Sequence, residues 1–247
     1  MIQLNGKNIL VTGASSGIGK QTAIQLAAVG ANCFILGRNK ARLQDTFHQL
    51  HKSENQQHQI YQIELSQHNQ IINLVENIPV LDGVVCNAGM VKTKPLKYLN
   101  ETLIDEIFSV NTKSVILLIN DLFKAKKLKK GASVGIVSSV STLKHTPANS
   151  IYSASKGALN TFTTAIAQEL SKKEIRINAV LPGYIQTNIL ENDKIDEEQL
   201  KKHLKNYPLG RFGKPEDVAN LLCFLMSDLS EWMTGNLIKI DGGFSIQ

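Results

Sequence analysis

Tyr152 and Lys156 stand four residues apart in the run Tyr152-Ser153-Ala154-Ser155-Lys156. On a helix that spacing puts both side chains on one face. A free phenol titrates near pH ~10. A neighbouring ammonium stabilises the phenolate and lowers that value. A phenol tuned this way exchanges a proton near neutral pH, as general acid–base chemistry requires. Alone the pair says little, since chance supplies roughly half a match in a chain of this length and lysine content, and an exposed helix pair is then the plain alternative. Its company says more: Ser139 lies upstream, Asn111 lies further back, and a glycine-rich turn stands near the N-terminus.

That turn is Thr12-Gly13-Ala14-Ser15-Ser16-Gly17-Ile18-Gly19. It follows a short apolar run, Asn8 to Val11, and opens a segment of helical spacing from Ile18 to Val29. Glycines let the backbone turn tightly and approach a pyrophosphate, and a helix N-terminus supplies unpaired N–H groups and a positive dipole end. The spacing is Gly-x-x-x-Gly-x-Gly. In a strand–turn–helix context it predicts a dinucleotide cradle, the alternative being a tight turn with no ligand.

The residue after the second strand reads the adenosine ribose. An acid there suits the 2′-hydroxyl of NAD, and an arginine suits the 2′-phosphate of NADP. The sequence is Leu36-Gly37-Arg38-Asn39, with no acid. Arg38 offers a planar donor fork matched to phosphate, so NADP(H) is expected in preference to NAD(H). A solvated arginine at a strand end is the alternative.

Strands are expected at Asn8–Val11, Asn32–Leu36, Gln59–Leu65, Leu81–Cys86, Ser133–Ser138, Arg176–Leu181 and Leu237–Ile240. Between them helices are expected at Ile18–Val29, Lys40–Lys52, His68–Asn77, Asn100–Lys127 (continuous or kinked), Ser150–Lys172 and Pro215–Ser227. Alternating strands and helices predict an α/β fold: a doubly wound, Rossmann-type parallel sheet of about seven strands with helices on both faces. Ligands then sit at the carboxyl ends of the strands. No linker or internal repeat interrupts the chain, so residues 1–247 are expected to form a single domain, with 184–210 covering the substrate.

Composition excludes several classes. The chain has 247 residues, 43% hydrophobic and 19% charged, enough for a full core. The net charge of +6 is mild and no nucleic-acid motif accompanies it. No apolar run approaches the ~18 residues of a membrane span. Cys33, Cys86 and Cys223 lie far apart in apolar runs without metal-ligand spacing, which points to reduced core thiols in a cytoplasmic protein. No metal, nucleic acid or membrane is expected.

Taken together, these residues resemble the short-chain dehydrogenase/reductase family over essentially the whole chain. Cys86-Asn87-Ala88-Gly89 is similar to the family's Asn-Asn-Ala-Gly, with Cys86 in place of the first Asn. Asn111, Ser139, Tyr152 and Lys156 match its catalytic four. Pro182-Gly183, running through Ile185 to Thr187, matches the segment along the nicotinamide. The tail, with Pro208-Leu209-Gly210-Arg211-Phe212-Gly213, Pro215-Glu216-Asp217-Val218-Ala219 and Asp241-Gly242-Gly243, is similar to the 3-oxoacyl-[acyl-carrier-protein] reductase branch. Sugar and alcohol dehydrogenases share that tail.

The resemblance implies a coenzyme site of Gly13, Ser15, Ser16, Gly17, Ile18, Gly19, Arg38, Glu64, Leu65, Asn87, Ala88, Gly89, Tyr152, Lys156, Pro182, Gly183, Ile185 and Thr187. Glu64 stands where many relatives carry an Asp against adenine. Ser16 stands where many NADP-preferring relatives carry a basic residue, so the NADP expectation rests on Arg38. Tyr152 would protonate a carbonyl oxygen, Lys156 would lower the Tyr152 pKa and hold ribose hydroxyls, and Ser139 would donate to the oxygen where charge develops. Asn111 would hold a water linking Lys156 to solvent.

The implied activity is NADPH-dependent carbonyl reduction, on a 3-oxoacyl thioester ahead of a sugar or small alcohol. A non-catalytic NADP(H)-sensing module is the alternative of another class. Lys124, Lys126, Lys127, Lys129, Lys130, Lys172 and Lys173 end the two long helices, where the resembled branch docks an acidic acyl carrier protein. Lysines at helix ends also complement the dipole. Lys92, Lys94, Lys144 and His145 are expected at the pocket rim. Ile189, Leu190, Ile195, Leu200 and Leu204 line the cleft or back a lid helix. Long helices pairing across a twofold axis imply a homotetramer.

Overall fold

The computed structural model describes residues 1–186 and 197–246. Seven strands form one sheet: β1 Asn8–Thr12, β2 Asn32–Gly37, β3 Gln59–Gln62, β4 Leu81–Cys86, β5 Leu128–Val137, β6 Arg176–Pro182 and β7 Leu237–Ile240. All pairings are parallel, in the order β3-β2-β1-β4-β5-β6-β7. The expected α/β doubly wound fold is the one found.

Strand alternation divides the core. In β1, Leu10 faces one layer while Ile9 and Val11 face the other, and all three are fully buried. In β4, Val84 and Cys86 join Leu10, and Val85 joins Ile9. Helices α3 (His68–Asn77), α5 (Ser114–Lys124) and α6 (Ser150–Ser171) cover the first face. Helices α1 (Gly17–Ala28) and α8 (Pro215–Met226) cover the second. Burying each such side chain is worth about 1.5–3 kcal/mol. The result is a rigid platform whose strand order reverses between β1 and β4, and ligands bind at such a switch point.

Four boundaries differ from the sequence reading by more than one residue, each for a local reason. Helix α2 spans Lys40–His48, not Lys40–Lys52. The polar connection after it folds back so that the Gln56 amide donates to the Ala27 and Ala31 carbonyls, at 2.7 and 3.0 Å. Strand β3 stops at Gln62, because the Glu64 N–H turns to the Gln70 side chain at 2.8 Å. Strand β5 begins at Leu128, not Ser133: a register shift lets Leu128 pair with Leu81, so Lys129 and Lys130 lie in a strand.

The fourth difference touches the site. The segment read as Asn100–Lys127 is two helices, α4 (Glu101–Phe108) and α5, joined by a π-helical turn, Ser109–Lys113. Such turns insert one residue and often mark functional positions. Asn111 sits in it. Helix α7 (Glu197–Leu204) stands near the carboxyl ends of β6 and β7. Among the described residues no helix is long and apolar enough to cross a membrane, and no group of His, Cys, Asp and Glu has a metal-binding arrangement.

Candidate active site

The glycine turn links β1 to α1 at the switch point. Gly13 and Gly17 have φ of +66° and +54°, which other residues rarely adopt. Gly19 is required for closeness: a Cβ there would lie 2.3 Å from the Gly13 carbonyl oxygen and 2.4 Å from Asn87 Nδ2. The Thr12 hydroxyl accepts from the Asn87 and Ala88 N–H groups, both at 3.0 Å, and Asn87 Nδ2 donates to the Thr12 carbonyl at 3.1 Å. These bonds knit the ends of β1 and β4 together. Helix α1 begins at Gly17 with no side-chain cap on its first N–H groups and no acid in its first turn. That donor set fits a pyrophosphate.

Asn111 is fully buried and bonds the Met90 backbone reciprocally: it accepts from Met90 N–H at 2.8 Å and donates to Met90 carbonyl at 2.9 Å. Its Nδ2 also donates to Ser155 Oγ at 3.1 Å. The π-turn thus presents Asn111 sideways, to the chain leaving β4 and to α6. Asn111 interrupts the helix and stands close to Lys156: a Cβ on Gly89 would lie 3.3 Å from both Asn111 Oδ1 and Lys156 Nζ.

Lys156 is 4% exposed, and its Nζ donates to the Val137 carbonyl at 2.8 Å. Burial lowers its pKa from 10.5 to about 8. The Cys86 thiol, at the end of β4, is its electrostatic neighbour and is itself pushed up to about 12 by burial. Tyr152, one helical turn earlier, is half-buried, and its phenol shares a hydrogen bond with the Ser139 hydroxyl. Ser139 also accepts from Ser141 N–H at 3.1 Å, which fixes its register just past β5.

One expectation is corrected. The Tyr152 pKa lies above the usual phenol value, not below it. Burial raises it, and the bond from Ser139 only partly opposes this. Lys156 is committed to Val137 and does not contribute. The phenol is therefore protonated at neutral pH.

Arg38 follows β2 directly, is exposed, and reaches Glu64 Oε2 at 3.4 Å. Leu65 is buried in the core. Gly183 donates to the Ile240 carbonyl at 3.1 Å, and a Cβ there would lie 3.0 Å from Asp241 Cα. Ile185 is buried and bridges to Gly213. Thr187, Ile189, Leu190 and Ile195 lie outside the described residues. Leu200 and Leu204 pack against an aromatic cluster of Tyr207, Phe212 and Phe244. A cleft of about 520 Å³ beside α6 is lined by Leu96, Thr142, His145, Pro147, Ser153 and Gly157.

The lysines are less free than the sequence suggests. Lys129 pairs with Asp82 and Lys130 with Glu174, each at 2.9 Å, and Lys127 Nζ donates to the Ile78 carbonyl at 2.6 Å. At the rim, Lys92 pairs with Glu106, and Lys144 lies over the Phe244 ring and donates to its carbonyl at 2.9 Å. Three site features escaped the sequence reading: the Val137 carbonyl, the bridging Thr12 hydroxyl and the contact of Cys86 with Lys156. Only the last had a signal, namely Cys86 standing where the family pattern has Asn.

An all-parallel seven-stranded sheet in this order, with a glycine turn at its switch point and a Ser–Tyr–Lys cluster beside it, defines a Rossmann-like dinucleotide-dependent oxidoreductase. Comparison with known proteins agrees. A family profile described as Enoyl-(Acyl carrier protein) reductase matches residues 13–245. The 3-oxoacyl-[acyl-carrier-protein] reductase FabG of Rickettsia felis is 32% identical over 246 residues, covering 98% of each chain. The L-xylulose reductase of Caenorhabditis elegans is 32% identical over 246 residues, 97% of this chain and 96% of that one. A short-chain type dehydrogenase/reductase from Mycobacterium ulcerans superposes with a TM-score of 0.92 at 26% identity, over 99% of this chain and 92% of that one. The chain belongs to the short-chain dehydrogenase/reductase family, whose members use a nicotinamide coenzyme.

Proposed function

We propose that this protein is an NADPH-dependent carbonyl reductase whose Tyr152 is the proton donor. The observation that carries this reading is the Tyr152 phenol bonded to Ser139, with buried Lys156 one turn away. A bound nicotinamide would supply the hydride to the carbonyl carbon. Tyr152 would give its proton to the carbonyl oxygen, and the Ser139 hydroxyl would donate to that oxygen as charge develops. Lys156 would exchange the Val137 carbonyl for the coenzyme ribose, and Asn111 would hold the Met90 segment and a water beside it.

Several features support the coenzyme choice. Arg38 follows β2 with no acid beside it in the sequence, its ion pair with Glu64 coming from the neighbouring strand end, and the first turn of α2 carries Lys40 and Arg42 and no acid. Cations there oppose the helix dipole, a cost that a 2′-phosphate relieves. Gly13, Ser15, Ser16, Gly17, Ile18 and Gly19 would hold the pyrophosphate. Asn87, Ala88, Gly89, Pro182, Gly183, Ile185 and Thr187 would line the remainder of the coenzyme.

For the substrate we favour a 3-oxoacyl thioester, because FabG proteins recur among the relatives. An L-xylulose reductase among them keeps a sugar carbonyl as the second reading. Lys129 and Lys130 begin β5 whereas Ser139 follows its end, about 30 Å away at ~3.3 Å per residue. A carrier protein held by that cluster would therefore serve the site of another subunit in the proposed homotetramer. The single-domain organisation and the cytoplasmic setting belong to the same proposal. The test is NADPH oxidation with carrier-bound 3-oxoacyl thioester, a short thioester analogue and L-xylulose, at low and high salt. Thioester reduction supports the first reading, with carrier preference lost at high salt if lysines dock it. Reduction of the sugar alone supports the second.

A further inference from the structure

By sequence Glu64 stands at the adenine position. Its surroundings give it a different part. The carboxylate is fixed at both oxygens: Oε1 accepts from Ser66 N–H at 3.3 Å and Oε2 accepts from Arg38 Nη1 at 3.4 Å. Its own backbone N–H is held by Gln70 Oε1 at 2.8 Å. Arg38 is positioned from the same side, since its carbonyl accepts from Gln62 Nε2 at 3.2 Å. The acid is the better anchored partner, with a side chain 29% exposed against 69% for Arg38. The ends of β2 and β3 therefore present a guanidinium with a fixed negative charge against one edge.

We infer that Glu64 sets coenzyme selectivity by opposing the 2′-phosphate at Arg38, so that the protein's preference for NADP(H) over NAD(H) is held below what Arg38 alone would give. The inference rests on the reading of Arg38 as the phosphate anchor. A guanidinium has five N–H donors and can serve carboxylate and phosphate together. Arg38 thus need not release Glu64 to bind the coenzyme, and the carboxylate remains within several ångströms of a group carrying between one and two negative charges. Two like charges that close repel even at surface dielectric, and salt screens the repulsion. A 2′-hydroxyl meets no such repulsion and gains an acceptor. One acid can thus penalise one coenzyme and spare the other.

The test is fluorescence titration of NADPH and NADH into the unmutated protein, Glu64→Gln and Arg38→Gln, at low and at high salt. Glutamine keeps the acceptor for Ser66 N–H and removes only the charge. In Glu64→Gln, NADPH should bind three- to tenfold tighter and NADH less than twofold differently, with the gain shrinking at high salt. An equal change for both coenzymes would make Glu64 an adenine contact and overturn the inference. Weaker NADPH binding would make it an aid to Arg38 and overturn it too. Arg38→Gln separates this from the underlying reading. If that variant keeps the NADPH-to-NADH ratio, Arg38 is not the anchor. If it collapses the ratio while Glu64→Gln changes nothing, only the inference about Glu64 fails. Competition by 2′,5′-ADP against 5′-AMP gives the same comparison without a nicotinamide, and unchanged melting of each variant confirms that folding is not the cause.

Discussion

The Lys156 ammonium donates to the Val137 carbonyl at 2.8 Å and does not act on the Tyr152 phenol. A charge is thus held in the core by one strand carbonyl, with the Cys86 thiol as its electrostatic neighbour. Burial lowers the Lys156 pKa from 10.5 to about 8. Because the folded value lies below the unfolded one, the unfolded chain binds the extra proton between those values, and this residue's contribution to stability rises with pH across that window. Below about pH 8 the full cost applies, about 3 kcal/mol. Lys156→Met should therefore be more stable than the unmutated protein at pH 7, and the difference should narrow by pH 10. Urea denaturation at the two pH values measures it; a difference that is constant or widens contradicts the account.

Asn111 fills both hydrogen bonds of the Met90 peptide from within the π-turn. Replacing it with alanine orphans a part-buried N–H and C=O. Asn111→Ala should cost about 2–4 kcal/mol in urea denaturation and lower turnover as well. A loss below ~0.5 kcal/mol would mean that water or a shifted helix replaces the side chain.

Arg38 is the residue on which the coenzyme choice depends. Arg38→Asp should weaken NADPH at least tenfold, about 1.4 kcal/mol, and favour NADH, so that the ranking of the two inverts in fluorescence titration. An unchanged ranking would remove the 2′-phosphate reading.

Assembly is testable at the surfaces the fold leaves open. Trp232 is 98% exposed, Leu237 begins an edge strand paired only on its β6 side, and the outer face of α6 is exposed at Ala154, Thr161 and Ala165. Light scattering at micromolar concentration should report a tetramer. A dimer would leave one of the two proposed axes, and a monomer neither.

Much of the fold was legible in the sequence, because it rests on periodicity: the buried run Ile9-Leu10-Val11 can only be a central strand, and Gly13, Gly17 and Gly19 declare a close turn. The spacing of Tyr152 and Lys156 survives in α6 unchanged. What stayed hidden depends on contacts distant in the chain. The chain after α2 folds back so that Gln56 reaches Ala27, and nothing near Gln56 announces that. The sequence leaves Asn100–Lys127 continuous or kinked, and the π-turn that decides it brings Asn111 to Met90, a contact no local pattern shows. The environment of Tyr152 was misjudged for a similar reason: helical spacing places Lys156 nearby without showing that Val137 already engages it.

The proposal that Tyr152 supplies the proton is tested most directly by Tyr152→Phe. The ring keeps its packing beside Ser139 and loses only the hydroxyl. With any substrate that the unmutated protein reduces, turnover measured as NADPH oxidation should fall by at least a hundredfold, while NADPH titrated by fluorescence binds as before. Near-normal turnover in Tyr152→Phe would contradict the account.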